Sequence, residues 1–263
     1  MRFLTPRKWP VRVRLGLIAG ACGIATIALI FTPRIPLAAG YHNFADERML
    51  LGLPYTLDVL SNVPFLIVGI WGILWLVLPG RLSFADQRER IPYLVFFAGV
   101  ALTGLGSFWY HLSPSNSRLP WDLLPMTFCF VSMAVAVFME RVNVTAGLIC
   151  LPPLLLLGAA SVVEWYFSEI QGRGDYKFYL FVQFFSPVFL AFTVGLFPPR
   201  YSGLHYLTAA FGLFIAAKLF ESFDRQIYLL FKVASGHSLK HVTAALSCYL
   251  ILRSLQVRQV LAA

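Results

Sequence analysis

The chain has 263 residues, 59% of them hydrophobic and only 13% charged. A soluble domain carries about a quarter of its residues as Asp, Glu, Lys or Arg, so a water-soluble globular enzyme is excluded. The net charge of +9 lies in short loops and at the N-terminus rather than on an aromatic-rich polar face, which argues against a nucleic-acid partner.

A helix needs about 20 apolar residues to cross a bilayer core. Eight stretches meet or approach that length: 13–31, 58–78, 92–111, 123–140, 146–163, 178–197, 204–220 and 238–255. Each is continuously apolar, without the period-two alternation of a β-barrel. Proline and glycine mark the joins, at Pro33, Pro36, Pro79-Gly80, Pro114, Pro120, Gly172, Gly174, Pro198-Pro199 and Gly236. The first stretch has a basic start but no clear A-x-A cleavage site, so it reads as a retained anchor rather than a signal peptide. Four cysteines, Cys22, Cys129, Cys150 and Cys248, fall in or beside apolar runs. They read as small packing residues, not as a disulfide framework or thiolate site.

Loop charge gives the orientation. With the N-terminus inside, the inner pieces hold twelve basic residues against three acids (Asp86, Glu89, Glu140). The outer pieces hold eight basic residues against nine acids. That asymmetry predicts both termini in the cytosol.

The polar residues then sort by leaflet. Ser107 and His111 end the third stretch, which runs outward. Asp122 opens the fourth and His237 and His241 open the eighth, both starting outside. Residues at i and i+4 share a helix face, so Ser107 with His111, and His237 with His241, can each point into one cavity. Ionisable groups beside a bilayer core are costly and are kept for function. Three imidazoles with an open fourth position are the ligand set of a catalytic zinc, which makes hydroxide available near neutral pH. Asp122 would orient the water and shuttle its proton, and Ser107 would hold the water or donate to an oxyanion. This predicts metal-assisted hydrolysis of an acyl bond.

Other polar residues are less decisive. Lys218, Glu221 and Asp224 are spaced to form an ion-pair ladder along the seventh stretch. Asp58, Ser61 and Asn62 open the second stretch on the same leaflet, as a cap or as partners behind the metal ligands. His42 and His205 read as interfacial histidines.

Ser107-x3-His111, Asp122 in Trp-Asp-Leu-Leu-Pro, His237-x3-His241 and Ser61-Asn62 together resemble the alkaline ceramidase family, within a superfamily that includes adiponectin-receptor-like membrane hydrolases. The resemblance spans about 58–255. It implies an all-α integral membrane protein: a seven-transmembrane-helix bundle, here with one additional N-terminal transmembrane helix. Residues 1–40 would be the basic N-terminus and extra helix, 41–258 the catalytic bundle and 259–263 a short tail. It implies zinc on His111, His237 and His241, with Asp122 and Ser107 acting on the water. The implied reaction is hydrolysis of ceramide, or another N-acyl lipid, to a free amine base and a fatty acid. The family's acidic, tryptophan-containing calcium motif has no close counterpart in Tyr41-His-Asn-Phe-Ala-Asp46-Glu47-Arg48. Asp46, Glu47 and Asp58, with Asn62 nearby, are the candidates for calcium or for support of the zinc site. Compact loops resemble the bacterial branch, in which the outer face is periplasmic and the protein sits in the inner membrane. A second reading keeps the same scaffold as a lipid-sensing receptor with negligible turnover.

Overall fold

The computed structural model describes residues 9–78 and 84–261. Arg2, Arg7, Lys8, the Pro79-Gly80 break, Arg81 and the last two residues of the tail lie outside them. The described chain is all-helical, with α1 at Val11–Phe31, α2 at Thr56–Leu60, α3 at Val63–Val77, α4 at Arg90–His111 and α5 at Leu119–Arg141. There follow α6 at Val144–Ile170, α7 at Lys177–Leu196, α8 at Leu204–Ser222, the short α9 at Asp224–Phe231 and α10 at Gly236–Val257. A 3-10 turn at Gln87–Glu89 precedes α4, and the isolated bridges include one that pairs Tyr201 with Val260.

Seven helical stretches are long and apolar enough to cross a membrane, with α2 and α3 counted together as Thr56–Val77. The eighth expected segment forms α10, which at 22 residues extends about 33 Å at 1.5 Å per residue. It is not in the apolar set, because Lys240, Arg253, two histidines and several hydroxyls interrupt it. The sequence boundaries differ most at α6, which runs seven residues beyond 163 to Ile170. The ladder expected at 218–224 stops short as well. Phe223 ends α8 and Asp224 opens α9, so Asp224 turns away from Lys218 and Glu221.

α3, α4, α5 and α7 pack in succession, and α10 joins α3 to α8. α7 and α8 barely touch, so the ring is open along that seam. α6 covers α5 and α7 from outside. α1 lies against α7 alone among its larger contacts, held by Arg14 Nη1, 3.1 Å from the Leu196 carbonyl, with its guanidinium over the Phe197 ring. The tail is docked rather than free: Gln259 and Leu261 exchange backbone bonds with Ser202 and Arg200.

One close approach governs the register of α4 against α5. Pro125 lies inside α5 and has no N–H to give the carbonyl four residues back, which belongs to Trp121. Gly106 packs against that same Trp121 carbonyl, where a Cβ would collide with it. Gly104 meets the backbone of Asn62 and Leu66, and Gly99 meets Cys129 and the Pro125 carbonyl. Small residues thus bring α3, α4 and α5 to backbone distance, the packing that serves helices surrounded by lipid. Gly106→Ala is expected to cost about 1–3 kcal/mol by overpacking against an atom that cannot yield. A lowered Tm of the detergent-solubilised protein would show it. Gly16→Ala, with nothing within 4 Å of the added Cβ, should leave Tm unchanged or slightly raised.

Candidate metal centre

Two helix ends deliver three imidazoles to one point. His111 is the last residue of α4, and His237 and His241 lie in the first two turns of α10. All three are buried, and one nitrogen from each falls within 4.8 Å of the others. Among the described residues this is the one group of three or more His, Cys, Asp or Glu side chains close enough to hold a metal ion.

The rotation of α10 is fixed by two carboxylates. Ser235 caps the helix by accepting from the Ser238 N–H, and both serine hydroxyls donate to Asp58 Oδ1. Asp224 Oδ1 accepts from the His237 N–H at 2.8 Å, while its Oδ2 accepts from the Ala45 N–H at 2.9 Å. Carboxylates at a helix N-terminus also oppose its positive dipole end. Gly236 makes the approach possible, since a Cβ there would strike the Phe220 carbonyl and Asp224.

The nitrogens fit a shared cation. His111 Nε2 and His237 Nε2 are 3.2 Å apart. Two imidazoles at 2.0–2.1 Å from one tetrahedral metal stand about 3.3–3.4 Å apart. His241 Nδ1 meets the Ser61 hydroxyl at 2.8 Å, leaving Nε2 for the cluster. His111 Nδ1 is buried without a protein partner. No carboxylate sits among the rings to charge them, so neutral imidazoles facing a cation are the chemistry this donor set suits. Phe44 closes the centre from the loop side, its ring 4.6 Å from that of His111 and 4.4 Å from that of His237.

Ser107 and Asp122 are both buried, and the serine is near enough to the carboxylate to favour its charged form. With His241 they line one end of a cavity of about 190 Å³. Its remaining wall is largely apolar, from Phe96, Met133 and Phe214 to Ile251. From Ser107 to Phe96 along α4 the cavity runs about 16 Å at the helical rise, and it reaches the open α7–α8 seam through Gln183, Pro187 and Phe211.

The other candidates are placed elsewhere. Asp46 is buried, and Arg48 bonds both its oxygens at 2.7 Å. Burial raises the pKa of this carboxyl, and the Arg48 hydrogen bonds outweigh it, holding Asp46 below its ordinary range. Glu47 is exposed. Asp58 serves α10 as described, and Asn62 Nδ2 donates to the Asp58 carbonyl at 2.7 Å. Asp46, Glu47 and Asp58 are not among the metal-sized groups of the described residues. His42 bridges Tyr110 and Asn116, each at 2.7 Å, which ties the Phe44 loop to α4. His205 is exposed.

Sequence reasoning missed Phe44, one of 24 phenylalanines, and gave Asp224 to the wrong helix. Asp-Arg after Glu-Ser-Phe was the available signal for a helix break there. In comparisons with known proteins, no family model matches the chain and neither does any curated sequence.

Metal content is the direct readout of this centre. Purified wild-type chain is expected to hold about one tightly bound transition metal and His237→Ala almost none, by elemental analysis. Ser61→Ala, which frees His241 to rotate, should weaken metal affinity about 10–100-fold in a chelator competition.

Proposed function

We propose that the protein is a zinc-dependent membrane amidase that hydrolyses the N-acyl bond of ceramide or a related N-acyl lipid. The observation that carries this reading is the shared end of one cavity. One of three convergent histidines, His241, lines the cavity with the buried Ser107 and Asp122, and its long apolar wall runs along the loosely packed α7 and α8. Three neutral nitrogens in a tetrahedral spacing favour zinc, which keeps a fourth position for chemistry. The resemblance to the alkaline ceramidases rests on the same five residues together with Ser61-Asn62.

In a bilayer α10 is the eighth span, its polar residues turned toward its helical neighbours. On α5, Asp122 and Glu140 are 18 residues apart, or about 27 Å at the helical rise, close to a hydrocarbon thickness of about 30 Å. The metal end thus lies at one membrane face. Loop charge assigns it to the outer face, periplasmic in a bacterial inner membrane, with both termini in the cytosol.

A bound zinc supplies Lewis acidity and a nucleophile of hydroxide strength at neutral pH. His111, His237 and His241 hold it, and Ser61 fixes the His241 ring. The apolar chamber takes the acyl chain, so that its length orients the amide toward Asp122 and Ser107. Asp122 accepts a proton from water and returns it to the leaving nitrogen. Ser107 Oγ, beside that carboxylate, donates to the carbonyl oxygen as negative charge builds on it. Phe44 keeps bulk water off the rings, which strengthens each of these interactions.

The test is release of free fatty acid from N-acyl lipids, ceramide among them, by the solubilised protein. Asp122→Ala is expected to keep its metal and lose about 10²–10⁴-fold in kcat, whereas His237→Ala loses metal and activity together. Full hydrolysis by metal-free His237→Ala would end the zinc mechanism. Bound metal without hydrolysis of any amide would favour the lipid-sensing alternative on the same scaffold.

A further inference from the structure

The polar end of the cavity carries charge that cleavage of a neutral amide does not use. Lys218 of α8 and Lys240 of α10 both line it and close on one carboxylate. Lys240 Nζ lies 2.9 Å from Glu221 Oε1, and Lys218 bonds the second oxygen, Oε2. Two ammonium groups thus share one carboxylate, and Lys240 is attracted by Asp122 as well. The wall's own charges balance, Lys218 and Lys240 against Glu221 and Asp122, and a divalent cation on the nearby histidines would tip this end of the cavity to net positive. Each ammonium has three donors and gives one hydrogen bond to Glu221, so further donors remain on both.

Position matters as much as sign. Lys240 directly precedes His241, which places this charge beside the metal ligands. Lys218 lies over the Phe184 ring, 5.6 Å from its centroid, where α7 and α8 part. The other acid on the wall, Asp122, interacts with Lys240 and with Ser107. A divalent cation on three neutral imidazoles would outweigh it.

We propose that Lys218 and Lys240 recognise an anionic head group on the substrate, a carboxylate or phosphate within a few bonds of the scissile amide nitrogen. This deepens the amidase reading and rests on it for the position of the amide. It replaces a neutral ceramide with an N-acyl amino acid or an N-acyl phosphoamine as the preferred class. Glu221 holds the two ammonium groups together, and the anion takes the donors that Glu221 leaves.

Binding of uncleavable probes tests this on the metal-loaded full chain. Tetradecyloxyacetate, 2-(tetradecyloxy)ethyl phosphate and 2-(tetradecyloxy)ethanol share one chain and differ in head group. By calorimetry the anions are expected to bind about tenfold or more tighter than the alcohol, as charged hydrogen bonds allow. The tighter of the two anions identifies the source of the charge. Lys218→Gln leaves a neutral Lys240–Glu221 pair and is expected to bring the three affinities within about threefold. Glu221→Gln enlarges the positive excess and should widen the preference, an opposite result that loss of folding cannot mimic. Equal binding of anion and alcohol by the wild-type protein would overturn the proposal. So would an anion preference that neither substitution changes. Fatty acid release from N-myristoylglycine and N-myristoylethanolamine is followed in parallel. If neither is cleaved while the binding preference follows the charge series, the amidase reading fails and the head-group assignment stands.

Discussion

The distance between α4 and α5 controls everything at the metal end. Pro125 takes away the donor that would have bonded the Trp121 carbonyl, and Gly106 has no side chain to keep α4 away from it. The two helices meet there at backbone distance, and the residues that follow, Ser107 on one and Asp122 on the other, come together as a consequence. One turn further along α4 stands His111. A side chain at position 106 would separate the serine from the carboxylate and shift a metal ligand at the same time. The defect in one helix and the missing Cβ in the other therefore work as a single element.

The second half of the site is brought in by polar clamps rather than by packing. Asp58 holds the start of α10 through Ser235 and Ser238, and Asp224 holds the His237 backbone while reaching across to Ala45. Asp224 therefore couples α10 to the loop that carries Phe44. The burial of so many polar groups is tolerable because most are partnered, and an unpartnered one costs about 1–3 kcal/mol. His111 Nδ1 and Asp58 Oδ2 are exceptions, both within the layer where three imidazoles crowd together. At the opposite end the pattern repeats with charges. Glu89 meets Arg200 and Tyr201, and Glu140 meets Arg258 and Tyr93, fastening the tail beneath the bundle.

Continuous apolar runs made the long helices legible, because a span of lipid demands length and hydropathy before anything else. The histidine pairs were legible too, since i and i+4 on a helix leave few choices of face. Which partners stand behind those residues was not. Ser61 and Asn62 are neighbours in sequence, yet only Ser61 turns to His241, a difference set by the short break between α2 and α3. Asp224 follows Lys218 and Glu221 at helical spacing, and nothing in that spacing reveals that α8 stops at Ser222. Phe44 lies in a loop whose path depends on Asp224 and on the bonds of His42 to Tyr110 and Asn116, all of them partners far away in sequence. Such long-range contacts leave no periodic trace.

α10 carries two of the three metal ligands and yet has the composition least suited to lipid. Alone, its histidines, Lys240 and Arg253 would oppose transfer into a bilayer by several kcal/mol. Only against α3 and α8, with Glu221, Ser61 and Asp58 already in place, are those groups matched. The helix therefore depends on the rest of the bundle to match its polar groups. The group of three histidines needs both α4 and α10, and a cation on it would oppose their separation. A cation held there would thus bind together the two helices whose meeting creates its site.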